Sequence, residues 1–523
     1  MPGSLLLGID IGTNSAKGVL CTPEGEVVAS AVVEHAMAVP RAGWAEQDAD
    51  QVWWGGFVAL CRQLLAGPYR GEDVGAIGVS AIGPCMLPVD ERGRPLRPGI
   101  LYGVDTRASA QIDALNASIG SDAIFALGGQ RLTSQAMGPK MRWFRENEPE
   151  LYRRTRQILT ASSYLIYKLT GEYVINRHEA PYSSPLVDLK RFAYDGRFAD
   201  EVVPLDLLPR MAWTTEIAGQ VSVEAAAETG LVAGTPVNSG AVDAAAEAVS
   251  AGVVEPGDLM IMYGSTMFFI QATEGPQPSD LVWATGYTFP NTYAVAFGMA
   301  TSGALTRWFR DQFGAEEVAA EAAGGPNAYA ALGSLAERIA PGSDGLICLP
   351  YFSGERTPIN DPRARGLFAG LSLTHTKGHL YRAVLEATAY GAMQNLDTIK
   401  ATGAVTKRAV AVGGGVKSRL WLQIVSDVTR QPQIVNERSI GASYGDAFLA
   451  GLASGMIPSI DALRQSWVRA ETIIEPNEAA SAIYDDYQPV FHALYEQTKT
   501  SMHRLADLGD ESRFRQPQTV ATT

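Results

Sequence analysis

Asp10 and Lys17 flank a tight polar turn, Thr13-Asn14-Ser15, within the stretch Leu5 to Leu20. A carboxylate ahead, hydroxyls and backbone N–H groups in the turn, and a cation behind are the parts of a phosphate cradle. The carboxylate is placed to reach an accompanying magnesium ion, directly or through water. The same residues also make an ordinary polar hairpin around a buried aspartate. A second stretch, Leu259 to Ile270, repeats the layout: apolar strand, the small polar turn Gly264-Ser265-Thr266, apolar strand. A third, Val410 to Ser418, sets Gly413, Gly414 and Gly415 between a buried strand and a helix beginning near Ser418. Three glycines let backbone approach a flat or anionic ligand, and the helix N-terminus adds partial positive charge. It is not a Walker loop, because Val416 separates the glycines from Lys417 and Ser418. Asp243 follows a short strand and Gly240 at the mouth of an alanine-rich helix, where the dipole favours its ionised form. On the residues alone, a stabilising helix-end carboxylate is the simpler reading of it.

The elements that must position these residues read as follows. Leu5 to Ile11 alternates apolar with small or acidic residues at the period of a strand. Val27 to Val33 is a further strand, and Asp48 is a plausible N-cap for a helix running to Leu65. The loop between them exposes Trp44. Val74 to Ser80 is a buried strand followed by the turn Ala81 to Cys85, which holds Gly83. Ile100 to Arg107 ends a strand and starts a helix. Helices run through Met141 to Asn147 and Ser162 to Thr170, whereas Asn176 to Asp206 is loop-rich. Pro236 to Gly240 is a strand, and the helix that carries Asp243 starts at Ala241 and ends at Gly252. After Gln497 the chain is helical at first and polar from Arg513 onward. Strands and helices alternate throughout, which predicts α/β organisation with mixed sheets. Two similar hairpins, each opening a half of the chain, point to two related domains facing each other across a cleft.

At 523 residues the chain is too long for one compact core. A net charge of −14 argues against nucleic acid as the main partner. No apolar run approaches a membrane span, and the N-terminus lacks a signal-peptide layout, so the expected location is the cytoplasm. Cys21, Cys61, Cys85 and Cys348 are scattered, and His375 and His379 share an i,i+4 spacing with no further ligand nearby. A structural zinc site is not expected.

Gly366 to Glu386 reads GLFAGLSLTHTKGHLYRAVLE. Its glycines, the His379-Leu380 pair and the Ala383 to Glu386 ending resemble the second signature of the FGGY carbohydrate kinases. Pro139-Lys140-Met141 with Trp143-Phe144 resembles the second half of that family's first signature. Gln135 and Met137 depart from it, standing where smaller or hydroxyl residues are usual. The opening GIDIGT, the YGST turn, the GGGVKS stretch and SGERTP (Ser353 to Pro358) are similar to family landmarks in the family's order. The chain is identified as a member over nearly its whole length, and its texture is most similar to the xylulokinase-like branch.

That resemblance implies an actin-like, ribonuclease-H-type α/β fold of two domains facing each other across a cleft. Residues 1–245 would carry the sugar site and first phosphate turn, 246–500 the second phosphate turn and adenosine site, and 501–523 a tail. It implies ATP-dependent phosphorylation of a sugar or polyol, with Mg²⁺. Asp243 falls where the family's catalytic base does. Gly12, Thr13, Asn14 and Ser15, with Lys17, would hold phosphates from one domain, and Gly264, Ser265 and Thr266 from the other. Asp10 would face the metal, and Gly413, Gly414, Gly415 and Ser418 would contact adenosine. Gly83, Tyr102, Asp105, Arg107 and Trp44 stand where sugar contacts fall, although Asp105 and Arg107 would equally pair with each other. D-xylulose is the first expected substrate. Gly83-Pro84 and Ala244 replace Met-His and Asn at two sugar-contacting positions of that branch, which leaves another ketose, a pentitol or a tetritol open. A silent sugar-binding regulator is the alternative of another class. The expected assembly is a homodimer.

Overall fold

The computed structural model describes residues 3–515. Its contacts divide the chain into two compact units. The first comprises Met1–Asp258, Ile270–Val295 and Glu437–Arg469, and the second Leu259–Phe269, Ala296–Asn436 and Ala470–Thr523. The units are therefore discontinuous, unlike the expected contiguous division at 245/246. Position 501 lies inside a long helix, Glu478–Arg515, and residues 516–523 lie outside the described residues.

The first unit is built on β1 (Leu5–Ile11), β2 (Ser15–Cys21), β3 (Val27–Glu34), β4 (Val74–Ala81), β5 (Ile217–Gln220), β6 (Pro236–Asn238) and β7 (Ala241–Val242). The sheet order is β5-β6-β4-β1-β2-β3, with β7 also paired to β4. β1 runs antiparallel to β2 and parallel to β4, and β7 is parallel to β4. β7 leads directly into α1 (Asp243–Ser250), which starts two residues later and ends two residues earlier than the pattern predicted.

All seven residues of β1 are buried, although its sequence alternates. The alternation separates two buried faces rather than a core from solvent. Leu5, Leu7, Ile9 and Ile11, with Ile77 and Val79 of β4, join Trp53, Phe57 and Leu60 in one apolar core. Gly8, Asp10, Gly78 and Ser80 take the other face, and the strand register sets Gly8 opposite Gly78 and Asp10 opposite Ser80.

The second sheet is formed by β8 (Asp258–Tyr263), β9 (Met267–Thr273), β10 (Trp283–Gly286), β11 (Tyr293–Met299), β12 (Arg408–Val412), β13 (Gln433–Asn436) and β14 (Ala470–Ile474). Its order is β10-β11-β9-β8-β12-β13-β14. The helices that matter to the site are α2 (Gly303–Phe313), α3 (Lys377–Ala401), α4 (Arg419–Thr429) and α5 (Ala442–Ser454). α3 is buried on every side from Gly378 to Asn395, except for the half-buried Leu380, so its sequence shows no single apolar face. His379 closes a capping box at its start with Thr376 and meets Asp344 at 3.0 Å.

α5 belongs to the segment 437–469 and packs on the small-residue face of the first sheet. A side chain at Gly8 would place its Cβ 1.9 Å from the Ser443 carbonyl oxygen, and one at Gly78 would lie 2.0 Å from the Asp446 carbonyl oxygen. Gly445 makes a similar approach to the Ala246 carbonyl oxygen of α1, at 2.0 Å. Glycine at Gly8 and Gly78 lets helix and strand backbones touch, and Gly445 does the same between two helices, so that this late segment packs into the first unit.

Candidate functional site

In the first unit the β1–β2 register pairs Asp10 with Lys17, and the turn between them closes with Gly12 N–H donating to the Ser15 carbonyl at 3.0 Å. His35 N–H donates to the Asn14 carbonyl at 3.0 Å, and Gln47 Nε2 to the Thr13 carbonyl at 2.9 Å. The three carbonyls of Thr13, Asn14 and Ser15 are thus all engaged by protein donors. Turning carbonyls inward is the polarity an anion-binding turn requires, since a phosphate oxygen is repelled by exposed carbonyl dipoles.

The second unit reaches the same polarity by other means. Gly264 N–H donates to the Thr266 carbonyl at 3.0 Å. The Gly264 and Ser265 carbonyls accept from the start of α2: Ser302 N–H to Ser265 at 3.0 Å, Gly303 N–H to Gly264 and Ala304 N–H to Ser265, both at 2.9 Å. A Cβ at Gly303 would sit 2.4 Å from the Gly264 carbonyl oxygen, so only glycine fits there. Ser302 and Gly303 escaped sequence reasoning because nothing local links them to a turn so far upstream.

The glycine stretch packs beside this turn. Gly413 has φ +91°, and a Cβ on it would lie 2.8 Å from the Tyr263 carbonyl oxygen, one residue before Gly264. A Cβ on Gly415 would press on Trp421, whereas Gly414 faces open space. Ser418 is the N-cap of α4, its hydroxyl accepting from Trp421 N–H at 3.3 Å.

The carboxylates gather at the ends of β1, β4 and β7. Asp10 sits beside Ser80, and Ala241 pairs with Ser80 on the other side of β4, so Asp243 emerges at the neighbouring strand end. Asp243 Oδ1 accepts from Ala244 N–H at 2.7 Å. Burial pushes its carboxyl up to about 7, the Ala244 N–H opposes this, and Glu179 and Glu247 add repulsion. Burial also holds the Asp10 carboxyl well above the ordinary range, with Asp243 next in effect. Lys17 favours the charged forms of both Asp10 and Glu247.

No three His, Cys, Asp or Glu side chains converge to hold a metal among the described residues. A cluster of crowded carboxylates beside an anion-binding turn nevertheless fits a divalent cation whose shell is completed by phosphate oxygens and water. Asp10 lies beside that turn, in register with Lys17.

Glu179 was missed, since it lies in the loop-rich stretch without periodicity. It is fully buried. Its Oε2 accepts from Thr160 Oγ1 at 2.9 Å, Ser162 Oγ at 2.8 Å and Asn176 Nδ2 at 3.2 Å. Its Oε1 has no hydrogen-bond partner and faces Gly83, where a Cβ would come within 2.7 Å. Burial raises its carboxyl to about 7.

Of the sugar candidates, Asp105 and Arg107 engage each other. Asp105 Oδ2 accepts from Arg107 Nη2 at 2.6 Å and from Ala45 N–H at 2.7 Å. Trp44 is half-buried rather than exposed, with the Arg107 guanidinium 3.8 Å from its ring centre and Trp143 edge-on at 5.3 Å. Tyr102 lies in the turn pinned by Lys140, whose Nζ donates to the Leu101 and Tyr102 carbonyls at 2.6 and 2.9 Å. Gln135, a departure from the first signature, accepts from Gly103 N–H at 3.0 Å and fixes the same turn.

Comparison with known proteins accounts for both units. Residues 5–250 match the N-terminal domain of the FGGY family of carbohydrate kinases, and residues 259–454 match its C-terminal domain. The chain is 28% identical over 496 residues to xylulose kinase of Escherichia coli K12, covering 94% of this chain and 99% of that one. It is 27% identical over 514 residues to gluconokinase of Bacillus subtilis, covering 96% and 98%. The crystal structure of xylulose kinase from Rhodospirillum rubrum superposes with a TM-score of 0.88 at 32% identity, covering 95% of this chain and all of that one. The two-domain α/β architecture, an anion-binding type of turn in each unit and both family domains agree: this chain belongs to the FGGY family of carbohydrate kinases and is a carbohydrate kinase that uses ATP as phosphoryl donor.

Proposed function

We propose that the protein transfers the γ-phosphoryl group of MgATP to a hydroxyl of a small ketose or polyol, D-xylulose first, giving D-xylulose 5-phosphate and ADP. The observation that carries this reading is Asp243, a carboxyl raised to about 7 at the end of a strand, beside a second carboxylate and a phosphate-type turn. A base of that strength takes the hydroxyl proton as the oxygen attacks phosphorus, near neutral pH.

Gly12, Thr13, Asn14, Ser15 and Lys17 are read as phosphate ligands of the first unit, and Gly264, Ser265 and Thr266 as those of the second. Gly413, Gly414, Gly415 and Ser418 are read as adenosine contacts. Asp10 is assigned to Mg²⁺ through water, and the ion supplies charge neutralisation at the phosphates. For the sugar, Gly83 and Tyr102 are the direct contacts proposed. Asp105, Arg107 and Trp44 shape that face from behind, because the carboxylate and guanidinium are already paired.

D-xylulose stands first because relatives over the full length carry xylulose kinase as their name. The gluconokinase relative, with Gly83-Pro84 and Ala244 in this chain, keeps other ketoses, pentitols and tetritols as alternatives. A cytoplasmic homodimer is the accompanying proposal for location and assembly. The test is ADP release with MgATP across ketopentoses, pentitols, tetritols, gluconate and glycerol. Preference for D-xylulose supports the reading, and turnover of a different member with silence on D-xylulose replaces the substrate.

A further inference from the structure

We infer that Asp446 and Ser80 position Asp10 through a buried hydrogen-bond chain, an inference that rests on Asp10 serving the cation of the nucleotide. Ser80 Oγ lies 2.7 Å from Asp446 Oδ2 and 3.1 Å from Asp10 Oδ1. Ser80 and Asp446 are completely shielded from solvent, and Asp10 is nearly so.

A serine hydroxyl carries one proton and cannot donate to two carboxylates at once. With both acids ionised, one would face the Ser80 lone pairs in a dry environment, which is strongly unfavourable. The arrangement closes when one acid carries a proton and donates to Ser80 Oγ, whose own proton goes to the other. Lys17, the register partner of Asp10, favours the charge on Asp10 and so leaves the proton on Asp446. The trio then bears one negative charge, and that charge resides on Asp10. Burial and the nearness of Asp10 push the Asp446 carboxyl well above the carboxylate range, in the same direction.

The backbone fixes this chain as firmly as the side chains do. The Asp446 carbonyl is the atom that a side chain at Gly78 would strike at 2.0 Å, and Gly8 admits the preceding turn of α5. Asp446 therefore reaches Ser80 from a helix that cannot slide outward without losing the contact that the glycines permit. It touches neither phosphate turn in this arrangement and acts through Ser80, as a positioning residue.

The test measures Mn²⁺·ADP binding to the full chain by electron paramagnetic resonance, without sugar, alongside turnover and thermal melting. Asp446→Asn keeps a donor toward Ser80 Oγ and is expected to bind Mn²⁺·ADP within about threefold of wild type. Asp446→Leu fills the space without donating and is expected to weaken binding at least tenfold. Ser80→Ala removes the central link, is expected to match the leucine variant, and serves if that variant does not fold. Equal losses in the asparagine and leucine variants would overturn the inference, because charge rather than donation would then matter. Wild-type binding by Asp446→Leu or Ser80→Ala would overturn it too. Absence of both Mn²⁺·ADP binding and sugar-dependent turnover in wild type would instead sink the kinase site assignment, and this inference with it.

Discussion

Arg107 Nη2 stands 2.6 Å from Asp105 Oδ2, and neither side chain is exposed. A buried pair of this kind is costly to break from one side, because the surviving charge loses its partner without regaining water. Arg107→Leu is expected to destabilise the protein by about 3–5 kcal/mol, read from urea unfolding. Because the guanidinium also lies on the Trp44 ring, the variant should shift tryptophan emission before global unfolding. Unchanged stability would show that the pair is better solvated than its burial implies.

Asp243→Asn tests the base. Removing general-base catalysis should lower kcat by about 10²–10⁴-fold, with melting temperature and nucleotide binding retained. In wild type, log kcat/KM should climb with pH up to about 7 and then level, since the ionised form is the active one. A folded asparagine variant with near-normal turnover would remove Asp243 from the reaction.

Glu179 supplies a stability test with a definite sign. Its carboxyl is raised from 4.5 to about 7, so between those values the folded protein holds a proton that the unfolded chain has released. Stability should therefore fall as pH rises from about 5 to 8, by about 3 kcal/mol from this group alone. Glu179→Gln removes that contribution. Urea unfolding of the variant should show a weaker decline with pH, its advantage over wild type growing toward pH 8. A constant difference at all pH values would mean that Glu179 stays charged in the folded protein.

Two glycines predict opposite outcomes for the same substitution. Gly78→Ala drives a Cβ to 2.0 Å from a backbone oxygen and should cost more than about 3 kcal/mol, beyond ordinary overpacking. Gly333 lies inside the helix Ala328–Glu337, and a methyl group on it would meet no other atom within 4 Å. Gly333→Ala should therefore stabilise by about 0.5–1 kcal/mol. Melting curves of the two variants decide both.

Much of this was legible in the residues because it is local. The strand-turn-strand units, the glycine stretch and the existence of a helix carrying Asp243 are each encoded within a dozen neighbours. The alternation in Leu5 to Ile11 was also real, but it could not reveal that its small face meets another helix. That pairing depends on α5, which carries a single acid, Asp446, among Ser443, Gly445, Ala447 and Ala450. An acidic residue in such a run was the available signal. Asp105 and Arg107 left two roles open in sequence, and only burial and distance decide between partner and ligand. Glu179 offered no pattern at all, since irregular loops place side chains by tertiary contacts.

The contact between Ser80 and Asp446 joins residues 366 positions apart. During synthesis at roughly 5–20 residues per second, the ribosome needs about 20–70 s to travel that distance. Throughout that interval the small-residue face of β1 and β4 lacks the helix that covers it, and the nascent first unit is open on the side that carries Asp10. Maturation of this half of the enzyme is therefore tied to the emergence of residues 442–454, and a chain stopped before them leaves the ribosome with a sheet that lacks its cover.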